Sequence, residues 1–268
     1  MRSPWRWLAA FGLLAGACAS VATAATSNGT LAKEPPTSLA PETAEVADEV
    51  VVTTTPTSTT APPASTTTAP PPTTVAPEEF WSTISPISSD LQQRMTASWR
   101  EGCPVALENL RYLNVAHWDF DGRVASGELV VHADHAENVS AVMLQLFDLG
   151  YPIQQMRLVD EYGADDDASM EANNTSAFNC REVAWRPGVW SNHAFGTAID
   201  VNPLINPYVK GATVFPPAGR AYADRSQRVT GGLYPGDPAV EAFASIGWGW
   251  GGNWDGAKDW QHFSASGR

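Results

Sequence analysis

Ser191-Asn192-His193-Ala194-Phe195-Gly196-Thr197-Ala198-Ile199-Asp200-Val201-Asn202 is the stretch on which the reading of this 268-residue chain turns. From Thr197 onward the side chains alternate. Thr197, Ile199 and Val201 face one way, and Ala198, Asp200 and Asn202 face the other. A strand with this pattern buries Ile199 and Val201 and points Asp200 at the opposite face. Gly196 lets the backbone bend, so that His193 can swing back towards Asp200. An imidazole and a carboxylate converging in this way are the start of a zinc site.

A third ligand has to come from elsewhere. The run Trp248-Gly249-Trp250-Gly251-Gly252-Asn253-Trp254, followed by Lys258-Asp259-Trp260-Gln261-His262-Phe263, supplies His262. Three protein ligands leave the fourth zinc position open for water. Asp259 lies three residues before His262, and in a regular strand the two would face opposite ways. A turn or bulge between them is therefore expected, bringing both to the site. A carboxylate beside a metal-activated water is what a general base requires. Taken singly these pieces are ordinary: an isolated histidine is more often structural, and Trp248, Trp250 and Trp254 read more readily as core than as a substrate platform.

Working outward, one helix is clear. Val139, Val142, Met143, Leu146 and Phe147 recur at helical spacing, Asp134 with Glu137 resembles a capping box, and Gly150 marks the stop. Leu129-Val130-Val131 before the helix and Ile153 to Val159 after it read as strands. Asp121-Gly122 between Tyr112–Trp118 and Val124–Val131 predicts a hairpin. Strands and helices mix without a regular βαβ rhythm, which favours an α+β fold: a single compact domain with a small antiparallel sheet carrying the zinc site, flanked by helices.

That domain is expected over residues 79–268. The N-terminus reads as a signal peptide over residues 1–24, with Arg2 and Arg6, an apolar run from Trp7 to Ala17, and a small-x-small site at Ala22-Thr23-Ala24. The apolar run falls short of the ~20 residues a membrane span needs. Cys18 follows Leu14-Ala15-Gly16-Ala17, which resembles a lipoprotein cleavage box shifted by one residue. It either leaves with the signal or carries a membrane tether. Residues 25–78 form a Thr/Pro-rich linker. Within it, positions 51–77 hold 11 Thr and 7 Pro, too few apolar groups to offset the entropy of ordering. The formal net charge of −13 and the lack of a basic stripe exclude nucleic acid as a partner held by phosphate neutralisation. After Cys18, Cys103 and Cys180 remain, and an even count in an exported chain suggests one disulfide.

Together the motifs resemble a known family. Ser-x-His-x-x-Gly-x-Ala-x-Asp, then Trp-Gly-Gly and Asp-x-x-His-Phe, look like the VanY-type zinc D-alanyl-D-alanine carboxypeptidases and L-alanyl-D-glutamate endopeptidases. The segment Asn173-Asn174-Thr175-Ser176-Ala177-Phe178-Asn179-Cys180-Arg181 is similar to bacterial members, and the resemblance spans about residues 100–265. It implies a compact α+β fold around a small antiparallel sheet, with zinc bound by His193, Asp200 and His262. It implies Asp259 as the catalytic acid/base and an upstream arginine that steadies a substrate carbonyl or oxyanion. Arg181 is the best match for that arginine, with Arg186 as competitor. The implied partner is the peptidoglycan stem peptide, met in the cell envelope or outside the cell by a monomeric enzyme. Aspartate in the acid position leans towards the endopeptidase branch. A non-catalytic, zinc-stabilised wall-binding module on the same scaffold is the alternative; such relatives typically lose the acid or a ligand, and this chain keeps both. His117, His132 and His135 read as structural or exposed rather than as a second metal site.

Overall fold

The computed structural model describes residues 79–184 and 186–268. The expected signal peptide, the linker and Cys18 lie outside the described residues.

The chain opens with strand β1 (Ser82–Pro86) and a short helix α1 (Ser89–Arg94), whose first turn is capped by the Ser88 hydroxyl accepting from the Leu91 N–H. Strands β2 (Leu110–Trp118) and β3 (Val124–His132) form the expected hairpin, with Leu110 opposite His132 and Trp118 opposite Val124. The Asp119 carboxylate accepts from the N–H groups of Asp121 and Arg123, and Gly122 takes a left-handed conformation, so the turn is set by side-chain chemistry. β1 adds antiparallel to β2, completing a three-stranded sheet.

Helix α2 (Ala136–Asp148) packs across this sheet, burying Val139, Val142, Met143, Leu146 and Phe147, the residues its periodicity selects. The capping box does not form. A 3₁₀ turn over Ala133–His135 leads into the helix, and the His132 imidazole accepts from the Asp134 N–H, so Asp134 is not the cap. The apolar run from Ile153 to Val159 also yields less strand than expected. Only β4 (Gln155–Met156) is paired, in parallel with β5 (Asn174–Thr175), because the Arg157 N–H turns to the Asn174 side chain instead. Helix α3 (Asp166–Glu171) connects the two.

The second half holds β6 (Ala198–Asp200), the hairpin β7 (Tyr208–Lys210) and β8 (Thr213–Phe215), helix α4 (Pro238–Ala244), β9 (Gly249–Trp250), β10 (Lys258–Asp259) and β11 (His262–Ser264). β11 lies between β6 and β9 in an antiparallel sheet, while β10 adds to β7 in a separate one. The expected break between Asp259 and His262 is therefore a change of sheet. Strands and helices mix with small antiparallel sheets, as an α+β domain should.

One core joins the halves. Leu113, Val115, Leu129 and Val131 from one face of the β2–β3 hairpin meet α2, and the same cluster takes in Ile199, Val201, Phe243, Trp248, Trp250 and Phe263. The rings of Phe243 and Phe263 stack with centroids 3.9 Å apart. The other face of the hairpin, through Leu110 and Val130, packs with Leu91, Met95, Leu158 and Phe178. Cys103 and Cys180 are bonded there, closing a separation of 77 residues. Among the described residues no helix is long and apolar enough to cross a membrane.

Candidate metal centre and active site

His193 sits in a 3₁₀ turn over Asn192–Phe195, started by the Ser191 hydroxyl accepting from the His193 N–H and ended by Gly196 at φ +69°. Glycine is required at that end for two reasons. The left-handed backbone disfavours a side chain, and a Cβ there would lie 2.6 Å from the His132 backbone nitrogen. The close approach lets the His132 N–H donate to the Gly196 carbonyl at 2.8 Å, docking the turn on β3.

Asp200 and His262 face each other directly across the β6–β11 ladder, with Ile199 opposite Phe263 as the neighbouring pair. Because side chains alternate, Ile199 and Phe263 enter the core and Asp200 and His262 share the other face. Asp200 is further fixed by reciprocal backbone bonds with Ser176, at 2.9 and 3.1 Å. Asp200 Oδ1 is 2.9 Å from His262 Nδ1, Asp200 Oδ2 is 3.2 Å from His193 Nε2, and the two ring nitrogens are 3.3 Å apart. All three residues are buried.

The outer ring nitrogens have carbonyl partners: His193 Nδ1 is 2.6 Å from the Ala177 carbonyl, and His262 Nε2 is 3.3 Å from that of Arg268. A neutral imidazole carries one N–H. Donating it outward leaves a lone pair on the inward nitrogen, which is how ligating histidines are usually held. One ligand atom from each of the three residues lies within 4.8 Å of the others, the single such group of His, Cys, Asp or Glu among the described residues. Two inward imidazole nitrogens and a carboxylate suit a first-row divalent ion such as zinc, and three protein ligands leave a position open.

Electrostatics agree with that fit. Burial works to raise the Asp200 carboxyl, but the charges and hydrogen bonds of His193 and His262 outweigh it and hold the group well below the usual carboxylate range. Burial opposes a charged His262, yet its hydrogen bond and charge interaction with Asp200 raise it. Asp200 thus stays ionised in the buried site and favours positive charge beside it.

Asp259 behaves in the opposite way. Burial, with the Asp200 charge adding, pushes its carboxyl up to about 6 despite the opposing pull of His262. Its Oδ1 is shielded from solvent and has no hydrogen-bond partner, a rare condition for a carboxylate. β10 places Asp259 opposite Tyr208, and Gly251 packs against it so closely that a Cβ would lie 2.7 Å from the Asp259 Cβ. The Trp-Gly-Gly motif thereby acquires a physical role. Trp250 is core, and Gly251 makes room for the backbone and Cβ of Asp259. Trp248 is core as well, while Trp254 stands half-buried beside the His262 ring, at 5.5 Å between centroids.

Arg181 is tied down from several sides. Its guanidinium pairs with Asp166 of α3 at 2.7 Å, its neighbour Cys180 is in the disulfide, and Arg100 donates to the Cys180 carbonyl. The Asn179 N–H donates to the His193 carbonyl and the Ser191 N–H to the Arg181 carbonyl, so segment 179–181 lies alongside the metal-site turn. The polar contacts of the Arg181 side chain are with Asp166 and the Glu182 carbonyl, not with the histidines or Asp259, and its Nε is shielded without a partner. Arg186 is exposed. His117 is buried between the hairpin and β4, and His132 and His135 are partly exposed; none joins a metal cluster.

The carbonyls of Ala177 and Arg268 and the buried Gln261, bonded to Met170 of α3, were not legible as part of the site. Backbone acceptors leave no mark in a sequence, and only the adjacency of Gln261 to His262 hinted at it.

Residues 184–265 match a family model described as D-alanyl-D-alanine carboxypeptidase. The matched segment contains His193, Asp200, Asp259 and His262, and begins three residues after Arg181. No curated protein and no solved structure matches the chain. The resemblance read from the motifs thus has a counterpart over residues 184–265, the segment that carries His193, Asp200, Asp259 and His262.

Proposed function

We propose that the chain is a zinc-dependent peptidase that hydrolyses amide bonds in peptidoglycan stem peptides, with His193, Asp200 and His262 holding the metal and Asp259 as general acid/base. The observation that carries this reading is the convergence of two inward imidazole nitrogens and a carboxylate beside a second carboxyl lifted to about 6. When bound, zinc supplies Lewis-acid polarisation and lowers the pKa of a coordinated water to about 7.

The chain's own residues do the rest. Asp259, with one unpaired and shielded oxygen, accepts a proton from the attacking water and returns it to the leaving amine. A carboxyl tuned upward suits both halves of that exchange better than an ordinary aspartate, because it also functions as an acid. Arg181, held beside the metal-site turn by the disulfide and by Asp166, steadies the developing oxyanion; one such donor is typically worth about 3–4 kcal/mol. The disulfide fits an exported enzyme working in the oxidising envelope or outside the cell, as a monomer.

Two bonds suit this chemistry, L-Ala-D-Glu and D-Ala-D-Ala. Aspartate in the acid position favours the first, and the description of the matched family favours the second. Mass spectrometry of defined stem peptides and purified peptidoglycan incubated with the zinc-loaded chain tests both. Loss of one terminal alanine marks the carboxypeptidase, and cleavage after the first residue marks the endopeptidase. Chelator should abolish turnover and zinc restore it. Binding to peptidoglycan with no new product would leave the wall-binding module as the better reading.

A further inference from the structure

We infer that residues 265–268, folded back beside β11, form a clamp on the outer edge of the His262 ring that sets how tightly the site holds its metal. The Arg268 carbonyl accepts from His262, and Asn192, Ser264 and Ser266 hold that carbonyl in place. This rests on the reading of His262 as a ligand.

The geometry is specific. The Arg268 carbonyl oxygen is 3.3 Å from His262 Nε2 and accepts from Ser264 Oγ at 2.9 Å, from Ser266 Oγ at 3.3 Å, and from Asn192 Nδ2. Four donors from three parts of the chain thus surround one acceptor oxygen and hold it at the imidazole. Asn192 also donates to Ser266 Oγ at 3.0 Å, and it immediately precedes His193. One turn thus ties together the segments that carry two of the three ligands.

The turn itself is built with care. Trp254 Nε1 donates to the Gly267 carbonyl at 2.8 Å, and the same indole lies against the His262 ring. Gly267 has φ +73°, and a Cβ on Gly249 would lie 2.6 Å from the Gly267 Cα, so the backbones meet where only glycines fit. Packing alone needs no acceptor aimed at His262 Nε2. A ligand histidine does, because its outer N–H bond sets both the tautomer and the ring orientation. Without it, the His262 ring would be free to turn Nδ1 away from Asp200. The partner of His193, by contrast, is the Ala177 carbonyl inside the buried segment 177–180, whereas Ser266 and Arg268 are exposed. The two histidines are therefore held with unequal security, and His262 is the one whose outer partner lies in an exposed turn.

The test is metal binding by the full chain. Zinc dissociation constants are measured by competition with a chromogenic chelator, and the visible absorption of the cobalt(II)-substituted protein reports ligand geometry. Three variants are compared with the parent: one lacking Ser266–Arg268, Trp254→Phe, and Asn192→Ala. The deletion should raise the zinc dissociation constant about 10–100-fold and alter the cobalt spectrum. Each point variant should move both readouts in the same direction by less, while circular dichroism of the metal-free proteins stays that of the parent. Zinc affinity within twofold of the parent in the folded deletion would overturn the clamp and leave the functional reading standing. If the deletion does not fold, unchanged affinity in both point variants overturns it equally. A parent that binds no zinc would overturn the functional reading and the clamp with it.

Discussion

Replacing Gly251 by alanine perturbs the proposed acid/base without touching a ligand. A Cβ at Gly251 would lie 2.5 Å from the Asp259 carbonyl oxygen and 2.7 Å from the Asp259 Cβ, whereas ordinary contact begins near 3.4 Å. Something must yield by roughly 0.7–0.9 Å, the difference between those distances. The backbone of Gly251 is not left-handed, so alanine adds steric pressure and little conformational strain. β10 is only two residues long and should be the element that moves. A displacement near 1 Å at a catalytic group can cost about 100-fold in rate, and overpacking typically costs about 1–3 kcal/mol in stability. Gly251→Ala should therefore lose about 10–100-fold in kcat/KM on a stem-peptide substrate, lower Tm modestly, and bind zinc as the parent does. Thermal denaturation and metal analysis run beside the kinetics separate these effects. A folded, zinc-loaded variant with kcat/KM within twofold of the parent would refute either the packing of Gly251 on Asp259 or the role given to Asp259.

Asp259→Asn should retain zinc and lose about 10²–10⁴-fold in turnover; loss of zinc along with activity would make Asp259 a ligand instead. In the metal-free chain burial holds the folded Asp259 carboxyl up at about 6, above the 3.8 of an ordinary aspartate. Its contribution to stability is thus fully present below about 4 and is lost as pH rises through about 6. That contribution is at most roughly 3 kcal/mol, and denaturant titrations across this window should flatten in the Asn variant. His262, also raised, acts with the same sign from its ordinary value of 6.5 upward, so its slope should survive the substitution. Reducing the Cys103–Cys180 bond should destabilise the domain by up to roughly 4 kcal/mol, read from chemical denaturation, and should lower activity by freeing the segment that carries Arg181. Arg181→Lys should bind zinc normally and lose kcat with KM little changed, because an ammonium cannot reproduce the guanidinium fork. A KM rise with kcat intact would place Arg181 on a substrate carboxylate instead.

What could be read from the sequence was whatever depends on local alternation or helical spacing. The inward course of Ile199 and Val201, the buried face of α2 and the hairpin at Asp121-Gly122 all follow from such rules, because a one-residue error would have put charge into the core. The break between Asp259 and His262 could be inferred from parity, but its form could not. Parity says nothing of which sheet a strand joins, and β10 belongs to β7. Asp134 misled because its spacing to Glu137 mimics a cap, while the His132 imidazole takes the N–H that defines the turn. The partners of Arg181 were hidden for a related reason. Asp166 lies on a short helix fifteen residues earlier, and no periodicity links the two. Contacts made by backbone carbonyls, including both outer partners of the histidines, left no signal at all.

The β6–β11 ladder explains why the chemistry and the core stand or fall together. Phe263 opposite Ile199 and His262 opposite Asp200 are consecutive pairs of one register. A slip of one residue would move Phe263 out of its stack on Phe243 and turn His262 towards the apolar cluster. Fully burying a side chain as large as phenylalanine contributes about 1.5–3 kcal/mol, and an unpaired imidazole in its place would cost more. The apolar pair therefore enforces the distance between the two proposed ligands. The ligands need not hold one another, which matters because Asp200 and His262 attract only while His262 keeps its proton. Neutral His262, the form that can bind a metal, is still presented to Asp200 because Phe243, Phe263 and Ile199 hold the register without it.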